Sequence, residues 1–463
     1  MRAGRQRTVQ VLGIVFFFAA VSTAQAESCE KSVGRLVSLQ GTVEARSSNQ
    51  TVWQVAKLND KFCPGDAVRT GARSRAAMVL ANETIVRLDQ LTTLTLTGLD
   101  DQSTSWIDLL SGIAHFLSRT PRPLKVKTPY INAGVEGTEF VVRAGSTEGS
   151  VSVLEGRVLA DNAQGSAALV SGESAAAAAG KAPEKKLMVQ PRDAVQWSLY
   201  YPPLFEGSAL TGNESWAEPA RRSAAAYLAG DSAAAFAAIA SVPNNVSDAR
   251  FYNYRAGLLL SVGRVDEAQT DISRSLQLSA DNAHALALQS VVALARNDYP
   301  AALDLARKAN TRDRASVPAW VALSYTQQAA FDLEAARASM QQAVLNDPAN
   351  VLTWARLAEL WLALGDLEKA QDAADRAVSI NANIARTQTV RGFAALTRIK
   401  TANAQRAFEM AISQDSADPL ARLGLGLALI RQGHLEAGRR EIEIGDAAAV
   451  VRRDEKFGVA PAE

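Results

Sequence analysis

Residues able to do chemistry are scattered in this chain. Asp66, Asp89, Asp108, Glu136, Glu139 and Glu155 could furnish a general acid and base if a pocket brought two of them to one substrate. Each instead adjoins a glycine turn or sits on an alternating apolar pattern, where a carboxylate is solvated or caps a turn. His115, His284 and His434 are the only histidines and lie far apart, and Cys29 and Cys63 are the only cysteines. No metal-ligand spacing can be assembled locally from that inventory. No nucleophile, base and orienting group fall together either. The sequence therefore nominates no catalytic, metal or cofactor-binding residue, and the expectation is a protein that is not an enzyme and carries no cofactor.

What must be positioned, then, is surface rather than a reactive centre. The chain has 463 residues, 48% hydrophobic and 21% charged, enough for two or three ordinary domains. Arg2, Arg5 and Arg7, an apolar run centred on Val11 to Val21, and Ala24-Gln25-Ala26 have the layout of a secretory signal peptide spanning 1–26. The apolar run falls short of the ~20 residues a membrane span needs, and charges interrupt every later candidate. No stable membrane span is expected after cleavage. Without the leader, 46 basic residues face 48 acidic ones, a balance that argues against a nucleic-acid partner. In an exported chain Cys29 and Cys63 most simply form one disulfide, worth ~3 kcal/mol in the chain-entropy model. Lipid attachment at Cys29 is the alternative, opposed by the preceding Ala26-Glu27-Ser28.

From 27 to 160 the pattern has period two. Ala76, Met78 and Leu80 alternate with their neighbours, as do Val86 and Leu88, and Leu94 and Leu96, with Gly41, Gly65, Gly98, Gly112 and Gly156 among the breaks. Short Val-, Thr- and Leu-rich runs between glycines predict an all-β domain. Five motifs in order, Gly41-Thr42-Val43, Gly65-Asp66-Ala67-Val68-Arg69-Thr70-Gly71, Thr128-Pro129, Gly137-Thr138-Glu139-Phe140-Val141-Val142 and Val153-Leu154-Glu155-Gly156-Arg157-Val158, resemble the FecR domain. The resemblance implies a compact periplasmic β unit whose motif residues make turns and strands, and possible recognition of an outer-membrane or cell-wall component. The cytoplasmic segment and membrane span that precede this domain in the FecR signal transducer are replaced here by the leader.

Residues 161–214 read as a low-complexity junction, mobile loop or hairpin extension, with five alanines from Ala175 to Ala179, closed by an aromatic stretch from Val195 to Phe205 that is expected to pack. Beyond it Ala234, Ala268, Ala302, Ala336, Ala370, Ala404 and Gly438 recur every 34 residues. Twelve residues before the later six stand Ala256, Ser290, Ser324, Ala358, Gly392 and Gly426, so two helices can approach closely once per unit. Arg222 occupies that place in the first unit, which marks it as a cap.

This register resembles the tetratricopeptide repeat. It implies an all-α superhelical solenoid of about seven units over 215–450, followed by a polar tail at 451–463. In that family the first helix of each pair lines a groove. Carried over unit by unit, the groove residues are Arg250, Asn253, His284, Tyr325, Gln328, Glu359, Arg386, Thr389, Phe393 and Arg431, with Val291, Leu294, Leu362 and Leu427 between them. Such a groove suits a peptide or helix of a protein partner. The functional expectation is a periplasmic scaffold joining two partners, with envelope signal relay as the alternative and cell-wall hydrolysis as a third reading.

Overall fold

The computed structural model describes residues 32–99, 105–118, 123–136, 139–187, 201, 204, 210 and 212–446. The leader, Cys29 and the tail at 451–463 lie outside the described residues. The first half supplies β1 (Gly34–Gln40), β2 (Val43–Arg46), β3 (Gln54–Val55), β4 (Lys61–Phe62), β5 (Ala67–Thr70), β6 (Arg75–Leu80), β7 (Ile85–Leu88), β8 (Thr93–Leu99) and β9 (Ser105–Leu117). It continues with β10 (Pro123–Lys127), β11 (Asn132–Glu136), β12 (Glu139–Ala144), β13 (Glu148–Glu155), β14 (Arg157–Asn162), β15 (Gly165–Val170), β16 (Glu173–Ala178) and β17 (Glu184–Leu187).

These strands make two sheets that share β9. One runs β4-β1-β6-β7-β9-β12-β13-β16-β17 and the other β3-β2-β5-β8-β9-β10-β11-β14-β15. Every pairing is antiparallel except β9 with β10. The second half of β9 pairs in the first sheet and its first half in the second, and Gly112, with φ +93°, sits at the change. A side chain there would collide with Thr92, so the crossing needs glycine. Apolar residues alternating inward from both sheets, among them Leu36, Met78, Phe116 and Val142 from one and Val68, Leu94, Ile107 and Val158 from the other, share one core. The β fold extends past the expected limit at 160. The junction to Leu187 takes the hairpin form, and most of its alanine run lies in strand β16, which buries Ala175 and Ala177 in the core.

The second half is an all-α solenoid of tetratricopeptide type. Its pairs are α1 (Ala217–Leu228) with α2 (Ser232–Ile239), α3 (Ala249–Ser261) with α4 (Val265–Leu278), α5 (Ala283–Ala295) with α6 (Tyr299–Arg312), and α7 (Val317–Ala329) with α8 (Leu333–Asn346). Then come α9 (Val351–Ala363) with α10 (Leu367–Ile380), α11 (Ala385–Thr397) with α12 (Thr401–Gln414), and α13 (Pro419–Arg431) with α14 (Leu435–Asp446). Side-chain caps start most of them: Asp248, Asn282, Ser316, Asn350 and Asp418 cap first helices, and Asp231, Asp298, Asp332 and Asp366 cap second helices.

The small residues sit where the helices of a pair cross. Ala268, Ala302, Ala336, Ala370 and Ala404 are fully buried, and the Ser290 hydroxyl donates to the Ala302 carbonyl at 2.7 Å. The first unit corrects the expected register. Arg222 is exposed, and Ser223 makes the matching bond to the Ala235 carbonyl at 2.7 Å. Unit one is thus shifted by one residue, and its crossing is built like the others.

Candidate functional site

Tyr201 and Leu204 are buried in the core of the first repeats, Leu204 reaching α5 of the third, so the described part of the aromatic stretch packs. Farther along, the array curls on itself. Leu228 of the first repeat packs on the cluster holding Val317, and Gly230 lies so near the last residue of α12 that a β-carbon would stand 2.7 Å from the Gln414 carbonyl. Between these walls lies a cavity of about 510 Å³. Val321 and Tyr325 of α7, Leu352, Thr353 and Arg356 of α9, and Arg386 of α11 line it together with Tyr227, Asp231, Gln414, Asp415 and Asp418, and Leu39–Gly41 at the end of β1 also borders it.

Five of the groove residues expected from sequence meet here in one polar chain. The Arg356 guanidinium lies 4.0 Å from the Tyr325 ring centroid, donates to Gln328 and pairs with Glu359 at 3.0 Å. Glu359 pairs with Arg386 at 2.5 Å, and Arg386 with Asp418 at 3.2 Å. The Thr389 hydroxyl donates to Asp418 at 3.2 Å. Alternating charges let guanidinium and carboxylate groups stay buried beside an apolar wall, each compensated by the next. Tyr325 and Arg386 reach the cavity, while Gln328, Glu359 and Thr389 brace their neighbours. Burial, and then the nearby Asp418, raise the carboxyl pKa of Asp415.

The other five stand elsewhere. Arg250 pairs with Asp248 and Glu214 beside Trp216, and Asn253 is buried and donates to Asn282 at 2.9 Å. His284 is buried, and its Nε2–H donates to the Leu204 carbonyl at 2.9 Å, fixing the linker on α5. Burial lowers its pKa to about 4, so it is neutral at pH 7. Phe393 packs edge-on to Phe408, and Arg431 donates to the Leu396 carbonyl at 2.8 Å. Val291 and Leu294 are core residues. Sequence reasoning missed Arg356, Tyr227, Asp415 and Asp418. Asp418 was within reach, because it repeats the capping place of Asn282, Ser316 and Asn350.

The β domain lies across both ends of the curled array. Toward the first repeats, Arg264 forms a buried ion pair with Asp89, and Arg75 donates to the Ser261 carbonyl at 3.0 Å. Arg73 stands 5.1 Å from the Phe236 ring centroid and 3.6 Å from Glu267. Toward the last repeats, Arg422 donates to the Val37 carbonyl, and the Leu39 N–H donates to the Ser416 hydroxyl at 2.9 Å. Ile444 packs with Val37, Ala77, Ile85 and Leu117. Asp89, expected to serve a local turn, thus joins the domains; burial raises its pKa against the opposing effect of Arg264. Asp66 does cap its own turn, accepting from the Cys63 N–H at 2.7 Å, and it also accepts from the Ser48 N–H of the β2–β3 loop at 2.9 Å. Glu139 meets His115 at 3.1 Å in the sheet interior, a pair the sequence did not suggest.

Residues 66–159 match the family model described as FecR protein. No curated protein matches the chain. Among solved structures, a protein assigned as an anti-sigma factor from Parabacteroides distasonis is 20% identical over 30% of this chain and 67% of its own, with a TM-score of 0.27. A thermophilic TPR protein in Thermus thermophilus is 18% identical over 39% of this chain and 99% of its own, with a TM-score of 0.34. YrrB, a TPR protein with an unusual peptide-binding site, is 16% identical over 37% of this chain and 91% of its own, with a TM-score of 0.28. Residues 66–159 thus resemble a FecR unit, and they lie in the same chain as a helical array of tetratricopeptide type.

Proposed function

We propose that this is a non-enzymatic scaffold of the periplasm, in which the FecR-like unit recognises an envelope component and the helical array holds an extended peptide of a protein partner. The cavity between α7, α9, α11 and the first repeat carries the reading. Its volume is in the range of ligand pockets, and its apolar wall is studded with convergent polar groups, the composition that binds main chain and side chain together. The leader at 1–26 would deliver the chain to the periplasm, and a Cys29–Cys63 bridge would tie down its new N-terminus; two free thiols in the exported protein would remove that bridge from the proposal. Signal relay remains the second reading, favoured by the β domain touching both ends of the array.

The test is fluorescence anisotropy of the full chain against a library of labelled unstructured peptides. A Leu352→Trp substitution fills the cavity from a half-buried position. Peptides that bind the parent should bind this variant at least tenfold more weakly, with unchanged circular dichroism. Equal affinity would place peptide binding outside the cavity, and turnover abolished by a single carboxylate change would end the non-enzymatic reading.

A further inference from the structure

The outer surface of the sixth repeat departs from the fifth at matched positions. In the fifth repeat, Trp361 of α9 lies between Arg337 of α8 and Lys369 of α10, with the two cationic groups 5.0 and 4.6 Å from its ring centroid. Trp354, two turns earlier, donates its indole N–H to the Pro348 carbonyl at 2.9 Å and is partly buried. One period later these four places hold Gln371, Ala395, Asn403 and Gln388. Both indoles are lost, and the furrow between α10 and α12 is left as a cleft of about 510 Å³.

The cleft is strongly cationic. Arg391 of α11, Arg398 just past its end, Lys400, and Arg406 of α12 line it against one carboxylate, Asp375. Arg391, Arg398 and Lys400 are exposed and make no ion pair among the described residues, and Arg406 donates to Asn403 at 2.6 Å. Asp375 accepts from Gln371 at 2.8 Å. The concentration is local, since the whole chain carries 49 basic and 48 acidic residues. Guanidinium forks match phosphate oxygens bidentately and a lysine adds a point charge, so converging cations without ion-pair partners favour a ligand of two or more negative charges.

We infer that the cleft between α10, α11 and α12 is a binding site for a phosphate-bearing anion. The phosphate comes from a soluble compound or from a lipid headgroup, and the two sources separate by experiment. The site lies apart from the peptide cavity and stands or falls independently of it.

Calorimetric titration of the full chain with sodium pyrophosphate tests the soluble source. Sedimentation with phosphatidylcholine vesicles, with and without phosphatidylglycerol, tests the lipid source. Binding to either probe, weakened at least tenfold by the pair Arg391→Ala and Arg398→Ala, is expected. Ala395→Trp keeps all four cations but refills the furrow as Trp361 does, and it too should weaken binding at least tenfold without lowering Tm. If neither probe binds, the proposal is overturned. Binding undiminished in Ala395→Trp would also overturn it, because the anion would then be held by diffuse surface charge. The arginine pair is exposed, so its reading survives even if the tryptophan variant folds poorly.

Discussion

His284 shows how far one side chain's role can shift from what its helix position suggests. It stands on a first helix, where the repeat would present it to a partner, but its ring is buried and holds the Leu204 carbonyl. A neutral imidazole in the folded state has a thermodynamic signature. Its folded pKa of about 4 lies below the ordinary histidine value of 6.5, so its contribution is complete above pH 6.5 and is lost as pH falls toward 4. The loss should be on the order of 3 kcal/mol, since a tenfold change in proton affinity corresponds to about 1.4 kcal/mol. His284→Gln keeps a donor and removes the titration. Thermal melts at pH 7 and pH 4.5 should show a smaller acid-induced fall in Tm for the variant than for the parent. Identical falls would mean that other groups control acid sensitivity.

At the scale of helices and turns, the repeat shows where local rules are obeyed and where they are broken. The residue linking the helices of a pair takes positive φ at Gly263, Asn297, Phe331, Gly365, Ile399 and Gly433, one period apart, and at Gly230 in the shifted first unit. Only glycine adopts that conformation freely; a β-branched residue is strained there. Ile399, at φ +60° and 73% exposed, has little packing to offset the strain. Ile399→Gly should therefore stabilise the protein by about 1 kcal/mol, after allowing for glycine's larger unfolded-state entropy. Chemical denaturation with a higher midpoint and unchanged slope would bear this out. A lower midpoint would show that the exposed side chain contributes packing. The period and the glycine turns at Gly263, Gly365 and Gly433 are legible in the sequence because each is set by residues close together in the chain, whereas nothing in the types of Phe331 and Ile399 announces a positive φ. The one-residue shift of the first unit was not legible either, because Arg222 and Ser223 are distinguished only by which of them reaches α2.

For the whole molecule, the β domain and the array meet at both ends of the array through ion pairs, hydrogen bonds and a small apolar cluster. Asp89 and Arg264 are both buried, and removing one partner of such a pair typically costs ~3–5 kcal/mol because it strands the other charge. Asp89→Arg should release the β domain from the first repeats. Hydrogen exchange should then quicken at 228–231 and at 413–418, two cavity walls that Asp89 does not touch, and the reciprocal Arg264→Asp change should restore protection. Quickening confined to residues beside Asp89 would show that the domains are not coupled through the cavity. The all-β unit, the helical array and the pairing of small residues were determined by the sequence alone, because strand alternation and a fixed repeat are local regularities. Only the tertiary structure decided that five expected groove residues converge while five do not, that Asp89 faces Arg264, and that two missing indoles open a cationic cleft. Those outcomes depend on the curl of the array and on docking between distant segments, which accumulate from small rotations at every helix pair and leave no periodic mark in the chain.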